Sequence, residues 1–273
     1  MAISVSVFGA DRESDEYKSA LKLKEIIQNT TPEGARGEII LFANATLYGQ
    51  LVKDVDLMML GSIENYCVTA DFYDKDNRHT KDKVYVRDFC TAIEIKRHDI
   101  SGIVLQGTDF YVKYGSSQHC VTQQSNKQKI AVMNYLQSAL SFSPYITNVI
   151  WFTQATRDDI KGLIYNGGRR VPSNVLWADF EFGEMLQLLI WQKPPYISNS
   201  KYIFDSNYQS CGISDIHKAL SLFSETKKHV GELTRRRIEL ISNKAFQERS
   251  LVDSQGRISI YRGRAGTGKT IAL

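Results

Sequence analysis

The sequence lacks any close pair of cysteines: Cys67, Cys90, Cys120 and Cys211 are scattered along 273 residues. That spacing excludes a disulfide framework and a zinc knuckle, and it suits a reducing cytoplasm. No stretch approaches the roughly 20 apolar residues of a membrane helix. Even Asn174–Trp191 is broken by Asp179, Glu181 and Glu184. Met1–Gly9 has neither the basic start nor the long apolar core of a signal peptide. No sign of charge dominates, and a formal net charge of +4 permits nucleic-acid binding without arguing for it. Internal repeats and low-complexity tracts are absent. These absences leave a soluble cytoplasmic protein with no membrane partner, long enough for one large or two modest domains.

Two stretches carry chemistry. Asp54–Leu60 and Cys90–Lys96 both alternate polar and apolar residues at the period of a strand. Residues two apart in a strand share a face, so Asp54 and Asp56 point one way and Val55, Leu57 and Met59 the other. The same rule sends Glu94 and Lys96 away from Ile93 and Ile95. If the strands are neighbours, two or three carboxylates and one ammonium converge. Such oxygen ligands suit Mg²⁺ or Mn²⁺, and a lysine beside them suits phosphate chemistry. A Glu-x-Lys triplet alone is uninformative, because a solvated sheet edge has the same look. Glu16–Tyr17–Lys18, Asp159–Ile160–Lys161 and Glu225–Thr226–Lys227 have the same spacing, but in helix-like or turn-like surroundings. Only Glu94–Ile95–Lys96 sits in an apolar strand pattern with an acidic strand before it.

Over roughly residues 33–155 this pattern resembles the PD-(D/E)xK nucleases, most closely the nuclease-related domain (NERD) branch. The resemblance rests on Gly37–Glu38, the Asp56 strand, Glu94–Ile95–Lys96, a strand pair at Gly102–Gln106 and Phe110–Tyr114, and a helix opened by Val121–Thr122–Gln123–Gln124. It implies a mixed α/β, restriction-endonuclease-like sheet flanked by helices, and metal-dependent cleavage of nucleic acid, DNA more than RNA. Asp56 and Glu94 would supply metal oxygens, with the Ile95 carbonyl as a further ligand, and Lys96 would orient or activate the attacking water. Glu38 and Gln124 take second rank. Gln124 is the closest match to a glutamine that family members place beside the metal, with Gln123 and Gln128 as alternatives. Asp54 is either a spare ligand or a solvated neighbour. Two departures stand out: a longer polar insertion around Asp71–Lys83, and no Asn-Pro before the helix glutamine.

In chain order, Ile3–Phe8 reads as a strand and Asp15–Ile27 as a helix. Thr31 and Pro32 have the residue types of a helix cap and first turn, which predicts a second helix bearing Glu38 and Ile39–Phe42. Gln123–Leu140 reads as a helix packing through Ile130, Met133, Tyr135, Leu136 and Leu140. Ile146–Phe152 and Val175–Trp177 read as strands and Glu181–Trp191 as a helix. The first body is expected to span 1–195, ending at Pro194–Pro195, with a helical segment over 196–256. Arg169–Arg170 and Arg235–Arg237 are better read as solvated charge than as phosphate contacts.

Residues 257–273 hold a strand leading into Gly263, Gly266, Gly268, Lys269 and Thr270, a full G-x-x-x-x-G-K-[ST] match. Its glycines let backbone N–H groups close on phosphates, Lys269 reaches the outer oxygens and Thr270 holds Mg²⁺. The loop resembles that of superfamily-1 helicases. The expectation is a truncated P-loop start in a longer nuclease–helicase protein, which would bind ATP only at full length. Two other functions compete: a catalytically silent module that binds nucleic acid or a partner, and a dimerisation domain for such a motor.

Overall fold

A computed structural model describes residues 3–47, 50–73, 79–139, 145–160, 174–206 and 223. The chain divides into Met1–Ser224 and Glu225–Leu273, and every described residue lies in the first unit. The expected P-loop residues Gly263, Gly266, Gly268, Lys269 and Thr270, and the arginines at 169–170 and 235–237, lie outside the described residues.

The architecture is α/β. An eight-stranded mixed sheet runs in the order β1 (Ile3–Phe8), β2 (Arg36–Thr46), β3 (Asp54–Tyr73), β4 (His79–Lys96), β11 (Lys201–Phe204), β10 (Tyr196–Ser198). Off this path, β8 (Ile146–Phe152) pairs in parallel with the last part of β4, and β9 (Val175–Leu176) pairs with β8. A second sheet joins β5 (Ile103–Gln106), β6 (Asp109–Tyr114) and β7 (Ser117–Cys120). Because β11 pairs with β4, the sheet continues past the boundary expected at residue 195.

Helices cover both faces. On one, α1 (Asp15–Thr30) and α3 (Phe182–Gln192) pack Leu23, Ile27, Met185 and Leu189 against Leu57, Met59, Ile93 and Ile95. On the other, α2 (Val121–Ala139) packs Val132, Tyr135 and Leu136 against Met58, Leu60 and Ala92. A sheet buried on both faces needs continuous apolar runs rather than alternation, and Ile39–Ala43 and all of Ile146–Phe152 are buried.

Two readings need correction. Gly37–Glu38 lies on β2, not on a helix, because Ile39–Phe42 is a doubly buried strand. Thr31 instead follows the end of α1, its N–H bonding back to Ile27, and Pro32 accepts from Ala35 in a turn. Gly37 is required by closeness: its φ is +127°, and a Cβ there would stand 2.2 Å from the Ser62 carbonyl oxygen. On α2, Ile130 and Met133 are exposed, and Ala131 and Val132 take their place in the core. The polar insertion at Asp71–Lys83 belongs to the β3–β4 hairpin, where Asp71 pairs with Lys81.

Candidate active site

The β3–β4 ladder ends at Leu57↔Ile93, one residue short of Asp56 and Glu94. On its other side, pairing between β2 and β3 skips from Ala43↔Leu57 to Ala45↔Val55, leaving Asn44 opposite Asp56. Asn44 has φ 53°, a left-handed conformation that asparagine tolerates better than most residues. Asp56 therefore sits where its strand loses both neighbours. Its side chain fills one gap, as Oδ2 accepts from the Ile95 N–H at 2.8 Å. A backbone donor that would have paired in the sheet instead fixes a carboxylate.

On β4, Glu94 and Lys96 share the face covered by α2, and each is buried, Glu94 completely. Lys96 Nζ pairs with Glu94 Oε1. The Gln128 side chain lies beside the same carboxylate, and neither Glu94 oxygen completes an aligned hydrogen bond. Burying a carboxylate is costly to stability even where an ammonium pairs with it. Burial and then the neighbouring Asp56 push the Glu94 carboxyl up to about 7, against the opposing effects of Lys96 and Gln128. Asp56 is also raised, by burial first, against the Ile95 N–H and the Lys96 charge. For Lys96, burial works downward, but the Glu94 carboxylate outweighs it and the ammonium is held above its usual range.

The cleft outside this pair has a volume of about 440 Å³ and is lined by Asp54, Asp56, Glu16, Asn44, Gln124 and Lys127, among others. The sequence places Glu16 only in the helix-like Glu16–Tyr17–Lys18 triplet. It stands in the first turn of α1, after the Ser14 cap, and its Oε2 accepts from Asn44 Nδ2 at 3.1 Å. Its charge acts on Asp56. Arg97, next to Lys96, pairs with Asp15 and ties that helix start to the end of β4. No sequence pattern announces Glu16, because only the fold brings α1 to this end of the sheet.

The expected residues separate. Asp56, Glu94 and Lys96 come together. Asp54 is exposed at the rim. Of the glutamines, Gln128 reaches Glu94, whereas Gln123 and Gln124 are exposed on the cleft wall. Glu38 is distant: it pairs with Ser62, six positions along β3 from Asp56, about 20 Å at strand spacing. Among the described residues, no three His, Cys, Asp or Glu side chains form a ready metal cage. Mg²⁺ does not require one, since it is commonly held by one or two carboxylates and keeps several waters. Asp56 and Glu94 fit that demand. Compared with family models, curated proteins and solved structures, the chain matches none of them, so the reading of this site rests on its own geometry.

Proposed function

We propose that this chain is a Mg²⁺- or Mn²⁺-dependent nuclease of the PD-(D/E)xK type, cleaving DNA in preference to RNA. The observation that carries the reading is the meeting of Asp56, Glu94 and Lys96 where the ladder breaks. Glu94 is wholly buried there, and Asp56 is anchored by the Ile95 amide. The helix-covered mixed sheet supports a restriction-endonuclease-like body and the NERD resemblance.

Asp56 and Glu94 would hold the cation, with the Ile95 carbonyl as a further ligand. Once bound, the cation supplies charge to offset that of the phosphate. Lys96 places a preorganised ammonium where negative charge grows on a phosphate under attack, and orients the water. Gln128 and Glu16 hold the edges of the site, in the places foreseen for Gln124 and Glu38. In a longer protein, Gly263–Thr270 would bind ATP for a helicase-like motor, and genome processing or defence against foreign DNA in the cytoplasm would suit that pairing. No helix among the described residues is long and apolar enough to cross a membrane.

A second reading rests on the direct Lys96–Glu94 pair, which occupies an oxygen that a cation would need. It makes the domain a silent module that binds nucleic acid or a partner. Plasmid, linear DNA and RNA incubated with Mg²⁺, Mn²⁺ or EDTA separate the two. Cleavage that needs the metal supports the enzyme, and intact substrates under every metal support the silent module.

A further inference from the structure

Three rings stand together beside the site on elements that the proposed chemistry leaves unused. Tyr114, at the end of β6, is 50% exposed. His98 meets it edge to face at 4.9 Å, and His119, on β7, does so at 5.2 Å. The group adjoins the reacting centre. Tyr114 lies within electrostatic range of Lys96, and His119 lines the cleft with Asp56.

The ring positions are preset. Gly102 makes room for His98, whose ring would stand 3.1 Å from a Cβ at that position. His98 Nδ1 is shielded from solvent without a hydrogen-bond partner, and the ring packs edge to face on Tyr114. Tyr114 and His119 lie diagonally across the β6–β7 ladder, where Val112 pairs with His119. A tyrosine half open to water and braced on its neighbours spends little entropy when a flat ligand stacks on it. Lys127 stands on the cleft wall, able to meet a phosphate.

We propose that Tyr114, braced by His98 and His119, is a stacking platform for an unpaired base next to the scissile phosphate. This rests on the nuclease reading and names its substrate: single-stranded nucleic acid or a frayed end rather than continuous duplex. Bases inside a duplex are already stacked and cannot use such a platform, whereas any unpaired base can.

The test measures binding in EDTA, so it does not depend on cleavage. Fluorescence anisotropy compares a labelled single-stranded oligonucleotide with a blunt duplex of the same length for wild type, Tyr114→Ala and Tyr114→Trp. Thermal melting checks that each variant is folded. Wild type should prefer the single strand. Tyr114→Ala should weaken that binding by about 5- to 100-fold, as expected for one lost stacking partner. Duplex affinity should not change, and Tyr114→Trp should restore single-strand binding. The platform is overturned if Tyr114→Ala leaves single-strand affinity intact, lowers both affinities equally, or if wild type shows no single-strand preference. Cleavage by wild type, lost in Lys96→Ala, would uphold the nuclease reading even then. Conversely, a Tyr114-dependent preference in a protein that cuts nothing would uphold the platform alone.

Discussion

Burial controls the ionisation of Glu94 strongly. Burial, then Asp56, raises its carboxyl from 4.5 to about 7. Between those values the folded protein binds more protons at this site than the unfolded chain. The contribution therefore favours folding at low pH and is lost as pH rises through the window, by up to about 3 kcal/mol. Metal-free wild type should gain stability between pH 7.5 and 5.5 relative to Glu94→Gln, which carries no such proton. Urea melts of both proteins across that range measure it; parallel pH profiles would show that Glu94 is not perturbed. Gln128 makes a neighbouring prediction. It holds the Glu94 carboxyl down, so Gln128→Ala should move the rise of any cleavage activity to higher pH. Gln124→Ala, at the solvated wall, should leave that profile in place.

At the scale of elements, the site exists because a ladder fails at one position. The strands bearing Asp56 and Glu94–Lys96, and the shared face of Glu94 and Lys96, were legible from alternation alone. The packing of Ile93 and Ile95 in the opposite core follows the same rule. Val55, expected beside Leu57 and Met59, packs instead with Met58 and Leu60 on the α2 side, because alternation breaks at Asn44 and Asp56. Ile39–Phe42 was not legible as a strand, because a short continuous apolar run fits a buried strand and a helix equally. Thr31 and Pro32 then tipped the reading towards a helix and carried Glu38 with it. Which glutamine reaches the site also lay beyond the sequence: Gln124 and Gln128 share a helix face, and only where α2 lies along the sheet chooses between them. Packing around the β3–β4 ladder gives a separate prediction. A Cβ on Gly61 would stand 2.0 Å from the Phe89 ring, which is itself buried. Gly61→Ala should cost about 1–3 kcal/mol in a denaturant melt, from overpacking at a position with no slack.

On the scale of the molecule, the formal charge of +4 conceals a cleft of the opposite sign. Glu16, Asp54 and Asp56 line it against Lys127, with the Lys96–Glu94 pair buried beside Asp56. A nucleic-acid backbone entering there would bind more tightly once a cation offsets that charge. Non-catalytic Ca²⁺ should therefore tighten oligonucleotide binding by wild type, and by much less in Asp56→Asn. Equal tightening in both, measured by anisotropy, would place the cation elsewhere. The same balance makes Lys96 the group whose removal separates cutting from holding. On the proposed reading it would contribute a charge at the reacting phosphate, while other basic residues would remain to meet the backbone.

The most direct test is the cleavage rate of Lys96→Ala beside wild type in the same Mg²⁺ or Mn²⁺ buffer, with oligonucleotide affinity measured on the same preparations. Wild type should cut. The variant should lose on the order of 10²-fold or more in rate, as for one preorganised charge at a transition state, and keep its affinity. A wild-type protein that cuts no nucleic acid under any divalent metal, or a Lys96→Ala variant that cuts as fast as wild type, would contradict the account.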